Sequence, residues 1–292
     1  MSREDFSFAS SSDGLRVAYY RWRSAAAPAA IVQIAHGLGE HALRYARLAA
    51  ALNAAGFAVY ANDHRGHGRT ATGPDALGDF GEAGWDAVVQ DALQLTHLAQ
   101  AAEGGLPVVL LGHSMGSFVA QQYILDHSAL IAGCALSGSA ARDPAAPRAD
   151  SGREGRLEDL NASFEPARTP FDWLSRDPAE VDAYIADPLC GFSMRKRSRL
   201  SARASWGRVS DPDALRGIRK DLPIYIFAGD EDPVNHHLEY LRPLAERYRS
   251  AGLRDVTEKY YAGGRHEMFN EINRDEVTAD LLAWLRRVIQ VR

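Results

Sequence analysis

Cysteine is scarce. Cys134 and Cys190 are the only two in 292 residues, too few for a disulfide framework and not at a metal-type spacing. Both read as small buried apolar residues. No apolar run approaches the roughly 20 residues of a membrane span. An excess of positive charge is missing too: the formal net charge is −5, which removes the electrostatic case for nucleic acid. Met1-Ser2-Arg3-Glu4-Asp5 puts charges where a secretory signal needs an apolar core, so a cytoplasmic protein is expected. Repeats and low-complexity tracts are also absent. The remaining composition, 46% hydrophobic and 24% charged, supports one large α/β domain with an insertion.

Short apolar runs alternate with helical spacing along most of the chain. Phe6 to Phe8 and Leu15 to Trp22 alternate around the turn signal Asp13-Gly14, which predicts an antiparallel hairpin. Ala30 to Ala35, Phe57 to Ala61, Pro107 to Leu111, Ile131 to Ser137, Leu222 to Ala228 and Val256 to Tyr261 read as strands. Helices are predicted over Arg44 to Ala55, Trp85 to Ala102, Ser117 to Leu125, His237 to Ser250 and Glu276 to Ile289. Strands alternating with helices imply a mainly parallel sheet covered on both faces.

The run Gly112-His113-Ser114-Met115-Gly116 lies between one of these strands and a helix. Strand, G-x-S-x-G and helix together make a nucleophile elbow. A serine at the apex of so tight a turn is held at unusual backbone angles, and glycines on either side avoid collisions of a Cβ with strand and helix. The helix N-terminus beneath it favours developing negative charge.

A serine hydroxyl needs a base to take its proton, and the base needs an orienting carboxylate. These should follow Ser114 in the order acid, then histidine, at the carboxyl ends of later strands. Of ten histidines, only His236, His237 and His266 lie after a plausible acid. His236 and His237 sit at a predicted helix start, whereas His266 lies in the loop after the last strand, preceded by Gly263 and Gly264. His266 is therefore the expected base. Asp230, Glu231 and Asp232 compete for the acid. Asp232 follows the turn at Gly229 and is fixed by Pro233, with Asp230 in reserve. The oxyanion requires backbone donors, for which the N–H groups of Met115 and Leu38 are the candidates, Leu38 being flanked by Gly37 and Gly39. His64 and His67 beside Asp63 lack a third well-placed ligand, so neither a metal nor any other cofactor is expected.

The alternation breaks between about Ser139 and Gly217. This stretch is rich in Ala, Pro, Arg and Asp, and it predicts a helical insertion over the site, with helix starts at Asp177-Pro178 and Asp211-Pro212. Acids outnumber bases from Asp150 to Asp187, whereas Arg195-Lys196-Arg197-Ser198-Arg199, with Arg203 and Arg208, is uniformly basic. Two readings of the basic run stand: a solvated helix face, or a docking patch for anionic head groups or a lipid surface.

With these residues placed, the chain resembles the α/β-hydrolase superfamily, and within it the monoglyceride lipase and lysophospholipase-like branch. The resemblance is carried by His36-Gly37-Leu38-Gly39-Glu40-His41 with Arg44-Tyr45, by Asp63-His64-Arg65-Gly66-His67-Gly68, and by Gly112-His113-Ser114-Met115-Gly116. Gly229-Asp230-Glu231-Asp232 and Gly264-Arg265-His266-Glu267 complete it. The resemblance implies an eight-stranded, mainly parallel sheet and an acid three residues after the glycine, favouring Asp232. It implies a core of residues 1–138 and 218–292, with a cap of residues 139–217 after the sixth strand. The implied activity is cofactor-independent hydrolysis of monoacylglycerols, lysophospholipids or similar small acyl esters through an acyl-enzyme. Amide or peptide hydrolysis, and a ligand sensor that keeps the triad with little turnover, are the alternatives. The corresponding site is Ser114, Asp232 and His266, with Leu38 and Met115 as oxyanion donors.

Overall fold

A computed structural model of the protein describes residues 2–23, 26–141 and 156–290. Eight strands form one sheet: β1 (Ser2–Ala9), β2 (Arg16–Arg23), β3 (Ala30–Ala35), β4 (Phe57–Asn62), β5 (Val108–His113), β6 (Gly133–Ser137), β7 (Ile224–Gly229) and β8 (Val256–Tyr261). Their spatial order is β1-β2-β4-β3-β5-β6-β7-β8. β2 pairs antiparallel with β1 and β4, and every other pairing is parallel. The β1–β2 connection is longer than the Asp13-Gly14 signal implies. Ala9 pairs with Arg16, leaving a six-residue loop in which only Gly14 is left-handed, at φ 78°.

Strands β3 to β7 are buried along their whole length, which explains their unbroken apolar runs: both faces are covered by helices. Side chains alternate between two cores. Ile31, Val108 and Leu110 pack with α2 (Gly84–Ala102), α3 (Met115–His127) and α7 (Arg242–Ser250). Val32, Val109 and Leu111 pack on the other face with α1 (Ala46–Ala54) and α8 (Arg274–Gln290). Burying each such side chain is worth about 1.5–3 kcal/mol.

The helix expected from His237 begins only at Arg242. His236, His237 and Leu238 instead take left-handed angles, φ 51°, 53° and 72°. The Asn235 side chain accepts from the Leu238 N–H at 2.7 Å, tying this loop into a non-helical turn. Pro243 explains the late start, since it is tolerated in a first turn and not in a helix interior.

Between β6 and β7 the described residues contain no strand. They form 3-10 turns at Leu157–Phe164 and Asp172–Leu174, then α4 (Pro178–Ala186), α5 (Lys196–Ser210) and α6 (Pro212–Arg216). Asp177 and Asp211 cap α4 and α6 from the position before a first-turn proline, as their sequence signals predict. Residues 142–155, where the predicted insertion opens and the acidic tract starts, lie outside the described residues. Among the described residues no helix is long and apolar enough to cross a membrane.

Candidate active site

Ser114 sits between the end of β5 and the first residue of α3 at φ 51° and ψ −119°. A side chain pays for such angles with strain, so the surroundings must enforce them. They do. The Ser114 N–H donates to the Ser137 carbonyl of β6 at 2.9 Å, and its carbonyl accepts from the Ser117 N–H at 2.9 Å. A Cβ on Gly112 would lie 2.7 Å from the Ser117 Cα, and one on Gly116 would run into the Ala35 carbonyl of β3. The turn is as tight as the sequence pattern requires.

His266 lies in the loop after β8 and is fully buried. Its Nδ1–H donates to Asp232 Oδ1 at 2.9 Å, while Nε2 is buried with no partner among the described residues. Asp232 also accepts from the Val234 N–H at 2.9 Å and the Asn235 side-chain amide at 3.1 Å. The neighbouring acids are occupied elsewhere: Asp230 accepts from the Gly263 N–H at 2.6 Å, and Glu231 pairs with His237. Of the three candidate acids, the fold brings Asp232 to His266. Burial alone would pull the imidazole's proton affinity down. The Asp232 carboxylate outweighs it, helped by Glu267 and Glu40, and holds His266 above its ordinary value.

Ser114, Met115, Leu38 and His266 all line one cavity of about 350 Å³. The Met115 N–H opens α3, a position without an intrahelical partner. Leu38 follows β3 in the loop closed by Glu40. The Glu40 carboxylate accepts from the Gly37 N–H (2.5 Å), the Tyr45 hydroxyl (2.8 Å) and Arg44 (2.8 Å). Arg44 grips Glu267 with two further bonds of 2.5 and 2.8 Å. One buried arginine thus joins the Leu38 loop to the residue after His266. Burial would raise Glu267, but Arg44 overrides it and holds that carboxyl at about 2. In Glu40 burial wins and the carboxyl is raised. These links were missed in the sequence, although Glu40 and Arg44 stand four residues apart and Glu267 adjoins His266.

His36, His64 and His67 form a separate cluster, with His36 4.3 Å and 5.1 Å from the other two rings. His36 Nδ1–H donates to the Gly37 carbonyl and its Nε2 accepts from the His64 N–H; His67 Nδ1–H donates to the Arg65 carbonyl and its Nε2 accepts from the Gly39 N–H. Asp63 accepts from the Ala42 and Arg69 N–H groups and from the Tyr20 hydroxyl. These groups brace the Leu38 loop through backbone bonds.

The β6–β7 segment closes the cavity. Its Trp173 ring lies 5.0 Å from that of His266, and Arg265 donates to the Asp172 carbonyl at 2.5 Å. Leu157, Leu160, Leu174, Met194 and Trp206 present an apolar underside, with Arg199 and Arg203 among them. The basic run does not form a uniform face. Arg195 donates to the Asp75 and Leu77 carbonyls, Arg197 pairs with Asp79, and Arg208 pairs with Asp126.

The sequence profile of the serine aminopeptidase S33 family matches residues 26–273. A monoacylglycerol lipase of Mycolicibacterium smegmatis is 34% identical over 289 residues, covering 97% of each chain. The human monoglyceride lipase is 30% identical, covering 86% of this chain and 80% of its own. Among solved structures, a thermostable carboxyl esterase from Bacillus coagulans superposes with a TM-score of 0.87 at 30% identity over 99% of both chains. The sheet, the profile and these relatives agree: the chain is a hydrolase that belongs to the serine aminopeptidase S33 family of α/β-hydrolases.

Proposed function

We propose that Ser114, His266 and Asp232 are a catalytic triad that hydrolyses monoacylglycerols and similar small acyl esters. His266 Nε2 takes the proton of Ser114 as its Oγ attacks the acyl carbonyl, while Asp232 holds the imidazole in the required tautomer and stabilises its charged form. The N–H groups of Leu38 and Met115 receive the oxyanion. The imidazolium then protonates the departing alkoxide, and water, deprotonated by the same ring, releases the acid from the acyl-enzyme. Residues 139–217 act as a cap over a core of 1–138 and 218–292, supplying the apolar wall against which an acyl chain packs. The reaction is assigned to the cytoplasm.

One observation carries the reading: a buried histidine, anchored at Nδ1 by a carboxylate and open at Nε2, lines the same cavity as a serine at left-handed angles. The substrate class is supported by the apolar underside and by the relatives named as monoacylglycerol and monoglyceride lipases. The solved esterase is described in complex with glycerol, the alcohol such a reaction releases. The test is a panel of monoacylglycerols and p-nitrophenyl esters alongside amide analogues. Ester turnover that rises with acyl length supports the reading. A preference for two-to-four-carbon acids, or for amides, overturns the substrate class. Failure of the folded protein to react with a fluorophosphonate favours the sensor alternative.

A further inference from the structure

The basic run of the β6–β7 segment is divided by the register of α5. Ser198 accepts from the Phe80 N–H and Ser201 from the Trp85 N–H, both at 2.8 Å, and Ser205 donates to Asp86 at 3.1 Å. Those serines and Arg208 fix the face that packs on α2 and α3. Arg199, Ala202, Arg203 and Trp206 lie on the adjoining face and line the cavity that holds Ser114 and His266. Such spacing keeps side chains on one side of a helix.

Arg203 differs from the other arginines of the run. Arg195, Arg197 and Arg208 are tied to backbone carbonyls or acids of the sheet domain, and Arg199 has an interaction of its own. Arg203 makes no hydrogen bond or ion pair among the described residues, and it is only half-exposed. It shares the cavity wall with Leu160, Met194 and Trp206. Among the described residues the cavity's two carboxylates are already matched: Glu40 and Glu267 share Arg44. A guanidinium on an apolar wall, with no counter-charge among the described residues, is suited to a planar pair of oxyanion oxygens on a ligand. Apolar pockets take their selectivity from a few such polar groups.

We infer that Arg203 is a specificity-determining residue, and that the preferred ester carries a negatively charged phosphate or carboxylate group that lies against α5. The inference rests on the ester-hydrolase reading and narrows its substrate. The anion can sit on the alcohol side, as in an acylglycerol phosphate, or at the far end of the acyl chain, as in a dicarboxylic monoester.

The experiment compares kcat/KM within two matched pairs: 1-acylglycerol against 1-acylglycerol 3-phosphate of the same chain, and p-nitrophenyl pentanoate against the p-nitrophenyl monoester of glutaric acid. The wild-type protein is expected to prefer the charged member of one pair by about tenfold, the worth of one charge-assisted bidentate contact; which pair shows it identifies the source of the anion. In Arg203→Leu that ratio falls to about one, and Arg203→Lys restores part of it. Raising the salt concentration shrinks the wild-type preference and leaves the Arg203→Leu ratio unchanged. A wild-type ratio of one or below in both pairs overturns the inference, as does a preference that survives in Arg203→Leu. Those results leave the ester-hydrolase reading standing; absence of turnover on every ester removes both.

Discussion

Two sets of buried histidines lie close together in this protein, and burial alone does not make them alike. Among the described residues no carboxylate acts on the rings of His36, His64 and His67. Loss of solvent therefore dominates, and it pushes His36 well below its ordinary value, His64 to about 3 and His67 to about 4. His113, 4.7 Å from the ring of His266, is likewise held at about 3. His266 is equally buried, yet the Asp232 carboxylate reverses the sign. The first set consists of neutral struts for backbone; the second contains the proposed base. What separates them is one oxygen at 2.9 Å.

The largest effect is expected at the proposed nucleophile. Ser114→Ala should lower ester turnover by about a thousandfold or more with the fold intact, read as kcat beside an unchanged melting curve. Wild-type rates in that variant would refute the mechanism. Asp232→Asn should cost up to about ten-thousandfold in kcat, because the amide no longer fixes the tautomer. It should also return the acid limb of the pH–rate profile towards or below the ordinary histidine value.

Arg44→Met tests the brace between the two loops. It strands two buried carboxylates, so about 3–5 kcal/mol of stability should disappear in urea titrations. A loss below about 1 kcal/mol would show that Glu40 and Glu267 have other support.

The neutral histidines give a smaller, signed effect. Their folded values lie below the unfolded value, so the unfolded chain binds more protons in between. Their contribution is complete above about pH 6.5 and is lost as pH falls towards 3. His266 works in the opposite direction: its contribution is present at low pH and is lost as pH rises through its elevated folded value. His64→Phe should therefore flatten the acid side of the stability curve by about one proton, close to 1.4 kcal/mol per pH unit. An unchanged slope would mean that His64 is not the neutral strut described.

Much of this was legible in the sequence. The central strands announce themselves because both faces are buried, and the elbow is recognisable because its glycines have no substitute where Gly116 meets Ala35. Chain order and loop position pointed to His266, and the turn at Gly229 to Asp232; both end up bonded to each other. Less visible were contacts between segments distant in sequence, such as Arg44 with Glu267, 223 residues apart. The basic run was unreadable for a related reason. Composition shows the charges, but only the helix register shows that Arg203 faces the cavity and Arg208 the neighbouring helix. The late start of α7 was open to detection, since Pro243 could not have stood inside a helix begun at His237.

The most direct measurement is the pH dependence of fluorophosphonate labelling, with the modified residue located by mass spectrometry. Label is expected on Ser114 alone, at a rate that falls on acidification with a midpoint above 6.5, the ordinary histidine value. Label elsewhere, or a rate on Ser114 indifferent to pH across that range, would contradict it.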